Sequence, residues 1–335
     1  MSFPFLLQLP ENSIKNVIKT MDIRDTFGFS LISKKSALLV KAIKLKAKYF
    51  VVNVASTLWV EISFSEEKAL TFQFYETEQI DYDEVPTEPP KDLYPPGYVV
   101  LSNWRNYEKR DFTMKNWMDH FCNTFNYSGV GWLEVYDMKV FTMNSVKHLF
   151  PKVKFLDIHC TRNHYELMRD YFNYSDSINI RRNDMILETD LGVIPKILIR
   201  NFDLVETWFS VEISLNELLI GNAQSFIYHE VSLSNKQLNV FLKCWMKGAC
   251  PNLKHTIIRV FSEKPLDLDV VWKGIKKQAA PQDGISICET CDYFLQFKGG
   301  VSIKRFDGVV ATVFIEPKDN GFGSVCDFNM FVDHR

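Results

Sequence analysis

The chain has 335 residues and is close to charge balance, with 39 Lys plus Arg against 41 Asp plus Glu. That length supports more than one compact unit, and the balance supplies no overall pull toward nucleic acid. Seven cysteines, an odd number without regular spacing, argue against a secreted disulfide scaffold.

The opening Met1-Ser2-Phe3-Pro4-Phe5-Leu6-Leu7 has no basic stretch ahead of a long apolar one, so it does not read as a signal peptide. No run approaches the roughly 18 apolar residues of a membrane span. The expectation is a cytoplasmic or nuclear protein.

The first 48 residues are helical in pattern. Ile14, Val17, Ile18 and Met21 follow Leu9-Pro10 at spacings that place them on one helical stripe. Asp22 caps a second short helix with Ile23, Phe27 and Leu31 every four residues, and Ser33 caps a third carrying Leu39, Ala42 and Ile43. Three short helices predict a small bundle.

From about residue 50 the period changes to that of strands, over 50–64 and 69–75. Residues 76–96 hold five prolines among acidic side chains and predict an exposed loop. Beyond 112, helical and strand patterns alternate. Helices are expected at 114–125, 145–150, 164–172, 193–199 and 235–246. Strands are expected at 132–136, 153–158, 178–180, 208–213, 226–231 and 256–261. Such alternation favours parallel strands joined by helical crossovers.

A faint repeat, Pro151-x-Val153-x-x-Leu156-x-Ile158 against Pro251-x-Leu253-x-x-Thr256-x-Ile258, gives this region a leucine-rich-repeat-like cast. An ordinary open α/β sheet is the alternative. Phe306-Asp307-Gly308, between two alternating segments, predicts a terminal β-hairpin, with 328–332 as a further strand. The fold class is therefore mixed α/β: an N-terminal bundle at 1–48 and an irregular repeat-like α/β domain at 49–335.

Motifs for chemistry are scarce. There is no phosphate-cradling Gly-rich loop, no dinucleotide fingerprint and no nucleophile elbow. Cys288-Glu289-Thr290-Cys291 is one Cys pair where a structural zinc needs four ligands. Neither metal nor cofactor is expected, and no catalytic residue is assigned. Lys34, Lys35, Lys41, Lys44, Lys46 and Lys48 read as the solvated face of the third helix. No aromatic interleaving supports a nucleic-acid groove.

The Leu9-Pro10 entry, the Asp22-Ile23 pair and the run Leu31-Ile32-Ser33-Lys34-Lys35 before Leu38-Leu39-Val40-Lys41 resemble the F-box of nematode-type proteins. Ser33-Lys34-Lys35-Ser36 stands where other F-boxes carry Cys-Arg-x-Trp. The segment Leu233-Ser234-Asn235-Lys236-Gln237-Leu238 through Trp245-Met246-Lys247-Gly248, then Pro251-Asn252-Leu253, is similar to that branch's F-box-associated domain. So is Ile303-Lys304-Arg305-Phe306-Asp307-Gly308.

The resemblance implies a non-catalytic substrate receptor of a Skp-cullin-F-box ubiquitin ligase. The F-box would dock on a Skp-type adaptor, and through it a cullin, while the C-terminal domain holds a protein substrate. A non-degradative scaffold is the alternative. Leu9, Pro10, Ile14, Ile18 and Ile23 are the expected adaptor face, with Val17, Met21, Phe27 and Leu31 packing the bundle. On the expected substrate face, Glu134, Lys154 and Asp157 break the apolar strand pattern and should point outward.

Overall fold

The structure is a computed structural model. It describes residues 6–55, 57–65, 68–75, 98–101, 105–107, 109, 112–136, 143–159, 175–181, 194–208, 213–262, 265–280, 285–289, 294–319 and 324–333. The expected loop at 76–96 and helix at 164–172 lie outside the described residues. The chain divides into two compact units, Met1–Leu156 and Asp157–Arg335. No helix among the described residues is long and apolar enough to cross a membrane.

The first unit begins with α1 (Glu11–Thr20), α2 (Ile23–Ser30) and α3 (Lys34–Ala42). The caps read from the sequence form. The Arg24 N–H donates to the Asp22 carboxylate, and the Ser36 N–H donates to the Ser33 hydroxyl in a reciprocal capping box. Ile14, Ile18, Phe29, Leu39 and Val40 make one buried cluster between the helices.

The sheet of this unit has the order β5-β4-β3-β2-β1-β6-β7. Its strands are β1 (Tyr49–Val54), β2 (Leu58–Ser65), β3 (Lys68–Tyr75), β4 (Tyr98–Leu101), β5 (Arg105–Tyr107), β6 (Val130–Val135) and β7 (Val153–Ile158), with α4 (Met114–Thr124) before β6 and α5 (Met143–Leu149) before β7. Strands β1 to β5 form an antiparallel meander, and β6 joins β1 in parallel. Alternation explains the sheet's two faces: Phe50, Val52, Val60, Ile62, Leu70 and Phe72 bury on one side.

The bundle is not a free module beside this sheet. The Phe27 ring of α2 sits 4.7 Å from Phe72, 5.4 Å from Tyr107, 5.6 Å from Phe121 and 6.0 Å from Phe125. Ser30 Oγ lies 2.9 Å from His120 Nε2, and the Tyr107 hydroxyl donates to the Arg24 carbonyl. Gly28 permits that approach, since a Cβ there would lie 3.1 Å from the Tyr107 oxygen. The compact unit runs to Leu156 and takes in the bundle together with these strands.

In the second unit β8 (Ser175–Arg181), β9 (Leu204–Trp208), β10 (Ser225–Val231) and β11 (His255–Ser262) run parallel in that order. Helices α6 (Ile194–Leu198), α7 (Leu215–Ile220) and α8 (Asn235–Met246) precede β9, β10 and β11. After α9 (Leu268–Val271) come β12 (Lys277–Ala279), the separate hairpin β13 (Ile285–Glu289) and β14 (Phe294–Lys298), then β15 (Val301–Lys304), β16 (Val310–Asp319) and β17 (Ser324–Asp333). Strand β17 lies antiparallel between β11 and β16, and the sheet continues through β15 to β12. The β15–β16 turn forms at Asp307-Gly308, with Gly308 at φ 95°.

The parallel strands share a local signature. Asn201-Phe202, Asn222-Ala223 and Asn252-Leu253 each precede a strand at the same offset. The Asn252 amide donates to Asn222 Oδ1 at 2.8 Å and the Asn222 amide donates to Asn201. Phe202, Ala223 and Leu253 are buried beside them. This polar ladder ties the starts of successive strands together as a repeat does. A strand forms at Leu204–Trp208, and most of the one expected at 208–213 lies outside the described residues.

Candidate functional site

Two surfaces stand out, one in each unit. On the bundle, Leu9 is 45% exposed and Pro10 is exposed, while Ile23 is partly buried. Ile14 and Ile18 do not belong to the expected adaptor face. Each is 1% exposed, because α1 turns its apolar stripe onto Phe29, Leu39 and Val40. Phe27 and Leu31 are buried and Val17 and Met21 partly so.

The exposed apolar side chains that sequence reasoning passed over are Ile32, at 41%, and Leu38, at 66%. A signal existed. Leu38 and Leu39 are adjacent on a helix, so only one of them can face the core. Lys34, Lys35, Lys41, Lys44, Lys46 and Lys48 are all exposed on and just after the same helix.

Of the expected substrate residues, Lys154 is exposed. Glu134 is partly buried and accepts hydrogen bonds from the Asn53 amide at 3.0 Å and the Tyr136 hydroxyl at 3.3 Å. Asp157 is fully buried rather than outward. Its carboxylate is 3.0 Å from Arg181 Nη2 and accepts from the Asn179 amide at 3.4 Å. The alternation argument placed Asp157 opposite Leu156 and Ile158. It could not say that an arginine would close over it.

A polar row crosses the second unit's sheet near the C-terminal ends of β8 to β11. Arg181 pairs with Trp208 in register, and its guanidinium stands 5.4 Å over the indole. Trp208 stacks on His229 with centroids 3.7 Å apart, and His229 Nε2 lies 2.8 Å from the buried Glu206 carboxylate. Arg259 donates to Asp327 through Nε at 2.9 Å and Nη2 at 3.4 Å. A register shift in β10 between Tyr228 and Val231 adds a bulge within this row.

Burial pushes the Cys250 thiol up to about 12 and the Cys326 thiol up to about 11, away from the reactive thiolate. No group of three or more His, Cys, Asp or Glu gathers to hold a metal among the described residues. Cys288 lies on β13, and Cys291 is outside the described residues. Burial also pushes His120 and His255 down to about 4, so both imidazoles are neutral near pH 7.

Comparison with known proteins agrees with these two regions. The F-box domain model matches residues 6–48, covering the bundle. The F-box associated model matches residues 193–258, from α6 into β11. The chain is also similar to the F-box associated domain-containing protein sdz-33 of Caenorhabditis elegans, 24% identical over 342 residues. That alignment covers 99% of this chain and 98% of the relative. No solved structure matches. The chain carries an F-box domain in its N-terminal bundle and an F-box-associated segment in its second unit.

Proposed function

We propose that this protein is a substrate-receptor subunit of a Skp-cullin-F-box ubiquitin ligase, with no catalysis of its own. Its F-box docks on a Skp-type adaptor and through it a cullin, and the remainder of the chain holds a protein substrate. The observation that carries the reading is the exposed apolar set on the F-box segment. Leu38, two-thirds exposed on α3, gains nothing for the bundle. Together with Leu9, Pro10 and Ile32, and with Ile23 at its margin, it supplies apolar anchors of the kind interfaces use. The lysines around it suit a partner of acidic rim.

Substrate contacts are assigned to strand faces, Glu134 and Lys154 among them. Rows of in-register side chains on parallel strands support that assignment. The intracellular setting, cytoplasmic or nuclear, follows from this role.

The test uses the full-length chain, since Phe27 binds the bundle into the first unit. The chain should capture a purified Skp-type adaptor. Leu38→Asp should abolish capture, and Leu9→Ala with Pro10→Ala should weaken it, all at unchanged thermal stability. Equal capture by a folded Leu38→Asp variant would remove this face from the reading.

A further inference from the structure

The sheet face of the second unit opposite α8 carries charges that the fold does not need. Helix α8 covers one face, with Phe241 against Phe328. By alternation the other face carries Asn179, Arg181, Glu206, Trp208, Arg259 and Asp327. Asp157, Glu206 and Asn179 are all but inaccessible there, and Asn179 Oδ1 has no hydrogen-bond partner among the described residues. Apolar side chains of similar size would fill such a face at less cost in desolvation, so buried pairs are weak as a stability device.

The charges are layered. The carboxylates of Asp157 and Asp327 lie at the bottom, 0% and 8% exposed, while the Arg181 and Arg259 side chains above them are 34% and 33% exposed. Each acid fixes its arginine in place and leaves further N–H donors of the guanidinium for another acceptor. Trp208 lies between the two along the row, and the ring of Phe261, two residues past Arg259 on the same face, is 36% exposed. Arginine and aromatic side chains together are the composition of an interface centre. The row sits at the C-terminal ends of parallel strands, where open α/β sheets bind their ligands.

We propose that this face binds an acidic, extended segment of a partner protein, with Arg181 and Arg259 each taking one carboxylate and Trp208 contacting the residue between. The proposal rests on the reading that the chain beyond the F-box holds the substrate, and it names the substrate's chemistry. Arg181 and Arg259 are three strands apart, which is about 14 Å at the usual strand spacing. An extended chain covers about that distance in four residues, and side chains four apart point the same way. The segment therefore carries two acidic residues separated by three others, with the middle one over Trp208.

The experiment measures fluorescence anisotropy of the full-length chain with labelled synthetic peptides. One probe has two glutamates four positions apart around a central leucine, and its control has lysines in their place. The glutamate probe should bind about tenfold more tightly than the control and weaken as salt rises. Arg259→Gln alone takes the arginine from the buried Asp327 carboxylate and risks unfolding. The paired variants Arg259→Gln with Asp327→Asn, and Arg181→Gln with Asp157→Asn, remove each guanidinium without that penalty. Each should lose about tenfold in affinity for the glutamate probe, the worth of one charge-assisted contact.

Undiminished affinity in a folded sample carrying both pairs overturns the proposal. So does no binding of the glutamate probe at millimolar concentration, or preference for a uridine homopolymer over the peptide. Adaptor capture is measured on the same samples. Capture with no peptide binding removes this inference alone. Peptide binding without capture removes the ligase reading and leaves the acidic-segment site standing.

Discussion

The two units solve the problem of a sheet face differently. In the first, the face toward α2 and α4 is filled with rings: Phe27, Phe50, Phe72 and Phe121 close on one another, and the packing welds the F-box helices to the strands. In the second, the face away from α8 buries Asp157, Glu206 and Asp327 beneath arginine and histidine. Aromatic packing gains free energy with every ångström of closure. Buried ion pairs return little net stability. The contrast separates a face closed by aromatic packing from one that keeps arginines over buried carboxylates.

The largest effect expected from breaking this contrast is on the first side. Phe27→Ala should cost about 4 kcal/mol, the usual cost of emptying a fully buried phenylalanine site. It should also loosen α2 from the sheet, so adaptor capture by the full chain falls with it. Denaturant unfolding at pH 7 checks this. A loss below about 1 kcal/mol would mean that the rings repack and the weld is not made by Phe27.

Acid should weaken both units, because burial lowers one histidine in each, His120 in the first and His255 in the second. His120 and His255 titrate at about 4 when folded, against about 6.5 in an unfolded chain. Between those values the unfolded chain binds more protons. The stabilisation is complete above pH 6.5, declines as pH falls toward 4, and is lost below it. The shift corresponds to roughly 3 kcal/mol for each group. Denaturant midpoints at pH 7 and pH 4.5 should differ accordingly, and His255→Gln should flatten the second unit's share. Equal midpoints at the two pH values would show that neither ring is buried in its neutral form.

How much of this was legible in the sequence follows from what each residue must satisfy. The capped helices and the Asp307-Gly308 turn rest on local rules, and they appear where those rules put them. Ile14, Ile18 and Asp157 were misread for a common reason. A periodicity assigns a side chain to a face, but only the neighbouring elements decide whether that face is covered. Helix α7 was missed although its capping box, Ser214 with Glu217, stands in the sequence. The Asn201, Asn222 and Asn252 ladder escaped too, because the likeness between strand starts was sought in apolar residues and these are polar.

That ladder offers a smaller test. Asn222 donates to Asn201 and accepts from Asn252, so Asn222→Ala breaks both links. The bonds are exposed, and the loss should be about 1 kcal/mol. In the first unit, Ser33→Ala removes the α3 cap and should cost a similar amount, about 1 kcal/mol. A second-unit loss much above the first-unit one would mean that the ladder also sets strand register. Measuring both by denaturant unfolding places the asparagine ladder and a bundle's helix cap on one scale.

The smallest stability effect is expected at Lys34, and its sign carries the information. Lys34 opens α3, and the first turn of that helix contains no acidic residue. A positive charge there opposes the helix dipole, at a cost of a few tenths of a kcal/mol at an exposed site. Lys34→Glu should therefore stabilise the chain, by about 0.5 kcal/mol. Lys35 is a poorer choice, because its charge adds to the hydrogen bond and charge of Lys15 that hold the Glu11 carboxyl below the usual range. If the lysines serve an acidic partner, the same substitution should slow adaptor association and reduce its dependence on salt. A more stable variant with weaker capture would set the bundle's outer surface apart from its aromatic inner one, as a face kept for binding at some expense to folding. Weakened stability with unchanged capture would instead make Lys34 part of the bundle's own structure.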